Sequence, residues 1–344
     1  MSILIVGGGK MGMSHLALVS QYVGKSGVAL CDSKWSTRLL FRFLGFRTFA
    51  SVDAAERELG RPQGVLIATP TPSHATLASW AIARKIPFFV EKPLTLDAAR
   101  SAELVAQAQA ADVPAQVGFV LRYVASFQRL RRLAAAGSLG RLLDYSASMR
   151  GNVVTKAPPP DSWQGDFARG GGCLNEYGPH VIDLCQFIFG PVAIVDKASM
   201  GQVHSTRADD RVSVEWGHAD GTRGRLEIDW CDPTKRKSII EFRARFEHAE
   251  VRADNSALEI AWAAQAPADA AQRALVDQPV RPPNVGFYLR GEEFTLEIED
   301  FLGTCLQRSL HIDAAACAGT TPLLADGCEV DRLIDEIARK AGLK

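Results

Sequence analysis

Residues 3–12, ILIVGGGKMG, set an apolar run of Ile3, Leu4, Ile5 and Val6 directly against three glycines, and a helix-like stretch, MSHLALVSQYV, follows. Gly7-x-Gly9-x-x-Gly12 between a strand and a helix is the spacing of a dinucleotide-binding turn. The first glycine permits the tight turn, the second lets backbone approach a pyrophosphate, and the third lets helix and strand pack closely. The free N–H groups of the first helical turn then face the phosphates, so Gly7, Gly9, Lys10, Met11 and Gly12 are the expected cofactor contacts. The next apolar run ends VALCD and places Asp32 twenty residues beyond Gly12, where a carboxylate accepts from ribose hydroxyls. A 2′-phosphate would meet that carboxylate, which favours NAD, while Lys34 and Arg38 close behind leave NADP open. The plain alternative is a glycine turn and a surface aspartate in some other α/β protein.

Up to about residue 119, short apolar runs (VALCD, GVLIAT, PFFVEKP, PAQVGF) alternate with stretches of helical periodicity. Alternation of this kind builds a parallel sheet from βαβ units, a Rossmann-type doubly wound fold. In PLTLDAARSAEL, Thr95 is placed to cap a helix. Beyond residue 119 the texture changes. A helix is expected at SFQRLRRLAAAG, stopped by Gly137, followed by period-2 segments such as RVSVEW and RLEIDW, which read as a hairpin through HADGTRG. Residues 120–344 are therefore expected to form an α+β domain with a large, mostly antiparallel open sheet covered by helices on one face. APPPDSW and QPVRPPN read as Pro-rich loops, and EVDRLIDEIARKAG as an amphipathic helix.

With 344 residues the chain suits two domains. Lys+Arg and Asp+Glu balance at 39 each, so nothing pulls it toward nucleic acid or an anionic membrane. Seven cysteines without a Cys-x-x-Cys pair read as reduced thiols in a cytoplasmic protein. No apolar run is long enough to span a membrane, and no metal site is expected.

The stretch GVLIATPTPSHATLASWAIARKIPFFVEKPL carries a Thr69-Pro70 turn after a strand, His74 opening the next helix, and Glu91-Lys92-Pro93 at the end of the following strand. These features resemble the Gfo/Idh/MocA oxidoreductases, the glucose–fructose oxidoreductase and inositol dehydrogenase family. The resemblance continues through GFVLRYVASFQRLRRLAAAGSLGRLLDYSA, WQGDFARGGGCLNEYGPHVIDLCQFIFG and EEFTLEIEDFL, essentially the whole chain. On its residues alone, Glu91-Lys92-Pro93 is more often a solvated strand end than a site, although ligands of a doubly wound sheet do bind at the carboxyl ends of its strands. The resemblance implies that Lys92 reaches the nicotinamide and the substrate hydroxyl. It also implies that Thr69, Pro70, His74 and Glu91 line the cofactor, His74 being equally readable as a plain helix-start residue.

In GGGCLNEYGPHVID, Glu176 and His180 stand four apart after three glycines. Pro179 is best tolerated in a first turn, so the helix is expected to begin near Gly178 with Glu176 in the loop before it. An isolated pair of this kind reads as an acid at a helix N-terminus and a packed histidine. Family members usually carry an aspartate and a histidine here, the histidine being the acid–base group at the oxidised carbinol; His180 matches, and Glu176 replaces the aspartate. Asp183 is open between holding the imidazole tautomer and capping a helix face.

The resemblance implies an NAD(P)-dependent dehydrogenase or ketoreductase acting on a sugar, nucleotide-sugar or cyclitol. His180 would take the proton of a secondary alcohol, with Lys92 steadying the alkoxide and Glu176 assisting. Arg122, Tyr123, Trp163 and Asn175 are the candidate substrate contacts, with Tyr288 and Arg290 as further ones; the arginines are equally readable as structural ion pairs, and Trp163 as ordinary cover over the cleft. The alternatives are a redox-neutral NAD-dependent glycosidase and a cofactor-binding regulator with a disabled site. Coverage of the open sheet by another subunit, as in the family, implies a homodimer or homotetramer.

Overall fold

The computed structural model describes residues 2–159, 162–267, 269, 292–306 and 319–343. The chain divides into two compact units, Met1–Val120 with Pro282–Cys328, and Leu121–Arg281 with Glu329–Lys344.

In the first unit, β1 (Ile3–Val6), β2 (Val28–Cys31), β3 (Arg47–Phe49), β4 (Gly64–Ile67), β5 (Phe88–Val90) and β6 (Ala115–Val117) form a parallel sheet in the order β3-β2-β1-β4-β5-β6. Every residue of β1, β2, β4 and β5 is buried, as expected of parallel strands covered on both faces. The strand order reverses between β1 and β4, so their carboxyl ends open a crevice where such folds bind ligands. The connecting helices are α1 (Lys10–Val23), α2 (Trp35–Phe43), α3 (Val52–Leu59), α4 (His74–Ala83) and α5 (Ala98–Ala110). The cap of α5 is Asp97 rather than Thr95: the Asp97 side chain accepts from the N–H groups of Ala99 and Arg100. Thr95 lies two residues too early, and its hydroxyl instead bonds to the backbone of Asp97 and to Ser101.

The second unit contains α6 (Ala125–Ala135), β7 (Leu142–Arg150), α7 (Cys173–Glu176), α8 (Gly178–Phe189), β8 (Val192–Gly201), β9 (Arg211–His218), β10 (Arg223–Asp229), β11 (Ile239–Phe246), β12 (Ala249–Asp254) and β13 (Leu258–Trp262). Their sheet order is β13-β12-β11-β7-β10-β9-β8. Only β7 and β10 pair in parallel; the other neighbours are antiparallel, with β9 and β10 forming the expected hairpin. Alternation sorts Val212, Val214, Trp216, Leu226, Ile228 and Phe242 onto the covered face. There Phe242 meets Phe127 of α6 and Phe189 of α8, with ring centroids 5.6 and 5.9 Å away. The other face is ionic: Arg252 and Arg243 converge on Glu241, Arg225 on Glu227, and Arg211 on Asp229.

Two further helices follow, α9 (Glu292–Leu306) and α10 (Leu324–Lys340). A single cut at residue 119/120 omits what α9 does. Its Ile298, Phe301, Leu302 and Cys305 join Ile3, Ile5, Leu16, Val19, Leu66 and Phe89 in one buried cluster of the first unit. No described helix is long and apolar enough to cross a membrane. Cys31, Cys173, Cys185, Cys231, Cys305 and Cys328 are free thiols.

Candidate active site

The glycine turn is built for close approach. Gly12 lies against β1, and a Cβ there would come within 1.7 Å of the Gly7 carbonyl oxygen, so the α1–β1 contact admits no side chain. A Cβ on Gly9, by contrast, would meet nothing within 4 Å. Gly9 heads α1 without a side-chain cap, so the first-turn N–H groups remain for an anion, and Lys10 is exposed beside them. Met11 is half-buried. The Asp32 carboxylate accepts from Gly8 N–H and Lys34 N–H, both at 2.7 Å, which ties the end of β2 to the glycine turn. Arg38 turns its guanidinium onto the carbonyl oxygens of Asp32 and Ser33. This uncapped turn, with a carboxylate at its rim, fits a dinucleotide.

At the carboxyl end of β4, Thr69 and the exposed Pro70 lead into α4. His74 is fully buried, its Nε2 2.9 Å from Thr69 O and its Nδ1 3.0 Å from Pro93 O. Both partners are acceptors, so only the doubly protonated ring satisfies both. Burial nonetheless holds its pKa below the ordinary value, against the pull of those oxygens and of Glu91. His74 is thus a pin inside the unit, which favours the structural reading over a cofactor contact. Glu91, Lys92 and Pro93 follow β5, with a cis Lys92–Pro93 bond. Glu91 is buried and turned inward, its Oε1 2.7 Å from His15 Nε2. Burial pushes the Glu91 carboxyl up, but the hydrogen bond and charge of His15, then Lys92 and His74, outweigh it and leave the pKa lowered. The Glu91 side chain therefore faces the interior. Lys92 is half-buried.

In the second unit, Gly172 (φ +92°) leads into α7, and a Cβ on it would lie 2.1 Å from Asp209 Oδ1. Asp209 accepts from Leu174 N–H at 2.7 Å and from the Cys173 thiol at 3.1 Å, and its own carbonyl accepts from Cys173 N–H. Burial raises the Asp209 pKa, these donors opposing it. Its neighbour Asp210 takes N–H groups from Val203, His204 and Ser205 and the Trp230 indole. Burial raises the Asp210 pKa too, but those donors bring it down to about 2.

Glu176 ends the single turn of α7 rather than lying in a loop. Tyr177 separates it from α8, which begins at Gly178 with Pro179 in its first turn, as the sequence implies. Glu176 and His180 are both half-buried. Asn175 is buried and donates to the carbonyls of Gly171 and Phe167, so it braces the glycine loop. Arg122 is also buried; its Nε lies 2.9 and 3.1 Å from the Asp183 oxygens, and its guanidinium sits 5.0 Å from the Phe187 ring centroid. Arg122 and Asp183 thus form a buried ion pair, the structural role to which an arginine here is equally suited. Tyr123 is 1% exposed and offers no wall to a ligand, whereas Trp163 is 43% exposed. Arg131 lies 4.3 Å from the same Phe187 centroid. Tyr288, Arg290 and Cys317 lie outside the described residues.

Residues 1–119 match the oxidoreductase family with NAD-binding Rossmann fold, and residues 127–252 match the GFO/IDH/MocA C-terminal domain. The chain belongs to the GFO/IDH/MocA family. Among relatives, the rhizopine catabolism protein MocA of Rhizobium meliloti is 30% identical over 186 residues, covering 54% of this chain and 56% of that protein. The inositol 2-dehydrogenase of Streptomyces avermitilis is 29% identical over 193 residues, covering 55% and 53%. The chain spans about half the length of the curated relatives it matches. Levoglucosan dehydrogenase, solved with NADH and levoglucosan, shares the fold over 99% of this chain and 96% of its own, with a TM-score of 0.78 and 19% identity. As a GFO/IDH/MocA member, this chain carries an NAD-binding Rossmann domain followed by the family's α+β domain.

The sequence reading missed His15, Asp209 and Glu297. Two of them leave a signal. His15 sits among Leu16, Leu18 and Val19 on the buried side of α1, and Glu297 precedes Phe301 and Cys305 at intervals of four on α9. An ionisable residue on the apolar stripe of a helix is expected to be partnered inside. Among the described residues, no cluster of His, Cys, Asp and Glu could hold a metal ion.

Proposed function

We propose that this protein is an NAD-dependent oxidoreductase that moves a hydride between the nicotinamide and a secondary alcohol or ketone of a sugar, nucleotide-sugar or cyclitol. The observation that carries this reading is His180. It is a half-buried imidazole in the first turn of α8, behind a glycine loop anchored by Asp209, in a chain with an NAD-binding domain. Bound NAD supplies the hydride acceptor. The uncapped start of α1 holds the pyrophosphate, and Asp32 accepts from the ribose hydroxyls. His180 removes the hydroxyl proton of the substrate at a ring nitrogen, Lys92 donates a hydrogen bond to the developing alkoxide, and Glu176 offers a carboxylate to the neighbouring hydroxyl. Trp163 offers an exposed ring to a sugar face. In the reducing direction the same groups return the proton.

The test is absorbance of reduced nicotinamide with NAD and a panel of cyclitols, sugars and nucleotide-sugars, beside a His180→Ala variant. Expected is NADH formation with at least one substrate and a loss of about 10²–10⁴-fold in the variant. Turnover of a glycoside without net NADH would instead point to the redox-neutral reading.

We also propose that the ionic face of the second sheet is covered by another copy of the chain, giving a homodimer or homotetramer. In support, that face holds a depression of about 1050 Å³ lined by residues of both signs, including Asp144, Arg243, Arg245 and Glu250.

A further inference from the structure

Lys92 carries chemistry in the reading above, and the residues on either side of it are gripped by buried histidines. On one side, Glu91 N–H donates to Ile67 O at 2.9 Å as the last rung between β5 and β4, while its side chain turns inward to His15 at 2.7 Å. On the other, the Pro93 carbonyl meets His74 Nδ1 at 3.0 Å. His15 is fully buried, lies edge-on to Phe89 with centroids 5.3 Å apart, and belongs to α1, the helix that starts at the glycine turn. Phe89 in turn packs against Phe301 of α9 at 5.9 Å.

We infer that His15 is a positioning residue, which ties the helix of the glycine turn to Glu91 and thereby fixes Lys92 relative to the cofactor's binding loop. This rests on the oxidoreductase reading for its consequence in catalysis, but not for the hold itself. The carboxylate can only accept, so His15 Nε2 donates. The bond is buried and charge-assisted, which makes it a stiff link between elements 76 positions apart in the chain. His74 holds the next residue but one from α4. Lys92 therefore projects from a backbone fixed at both neighbours, while its own side chain is half-buried. Such a frame lets a flexible four-carbon side chain be aimed without being buried itself.

The test compares His15→Leu, His15→Gln and the double variant His15→Leu/Glu91→Gln. Gln keeps a donor near the Nε2 position. The double variant avoids leaving a charge buried alone, which otherwise threatens folding. Hydrogen–deuterium exchange over residues 88–95 of the cofactor-free protein reads the hold directly. It is expected to quicken in both Leu variants and not in His15→Gln. In turnover, both Leu variants should lose about tenfold in kcat with KM for NAD within about threefold, and His15→Gln should stay near wild type. Exchange unchanged in both Leu variants, or His15→Gln losing as much kcat as His15→Leu, overturns the inference. Should the wild type transfer no hydride to any substrate, the oxidoreductase reading fails, and the exchange comparison still decides the role of His15.

Discussion

Glu297 is a carboxyl with 1% of its surface exposed, and its Oε1 finds no hydrogen-bond partner among the described residues. Burial, then the charges of Glu91, Asp300 and Glu293, push its pKa well above the ordinary value. The unfolded chain releases this proton near pH 4.3, whereas the folded protein keeps it. Stability is therefore whole below that pH and falls by about 1.4 kcal/mol per unit as pH rises toward the folded value. Glu297→Gln removes the penalty, so its melting temperature should exceed that of the wild type by a margin that widens from pH 5 to pH 8. A margin independent of pH in a fluorescence melting series would contradict this. Such a residue is half-legible in sequence: its place on an apolar stripe is visible, its partners are not. The same holds for His15, whose partner lies on another element. The partner of Arg122 was hidden for a related reason, because only the fold brings Asp183 beside it.

The break between α7 and α8 was legible from Pro179 alone, since a proline fits a first turn and little else in a helix. The short turn of α7 before it was not, because its cause is Asp209, a carboxylate 35 positions beyond Leu174. Two glycines around these helices separate backbone strain from contact. Gly172, before α7, and Gly190, at the end of α8, have φ of +92° and +89°, yet a Cβ would strike Asp209 at the first and meet nothing at the second. Gly190→Ala should cost about 1–3 kcal/mol for the backbone conformation alone. Gly172→Ala should cost more and lower turnover as well, because the displaced carboxylate holds the turn that leads to His180. Denaturant melts and kcat for both variants check this, and equal losses would show the contact to be soft. Strand periods and glycine spacing announced the sheets and the cofactor turn; the pairings that lock them together did not show.

The outer face of the second sheet is dressed in ion pairs rather than apolar residues, so a copy seated there would be held by charges as much as by burial. Exposed pairs of this kind weaken with salt. Light scattering should find a dimer or tetramer at low ionic strength and a shift toward monomer near 1 M salt; a monomer at every salt concentration would remove the oligomer proposal. The change of texture near residue 119 was visible in the sequence. The return of α9 to the first unit was not, since helical periodicity says which side of a helix is buried and not against what. That return sets an order of events at the ribosome. The strands and glycine turn emerge first, but the apolar surface of Ile3, Leu16, Leu66 and Phe89 is closed only by Ile298, Phe301 and Leu302. At 5–20 residues per second, roughly 10–40 seconds of synthesis separate the two. The half of the protein that is made first thus waits for its own closure until most of the second half has been made, and in the interval its cofactor domain is a nascent chain with an open core.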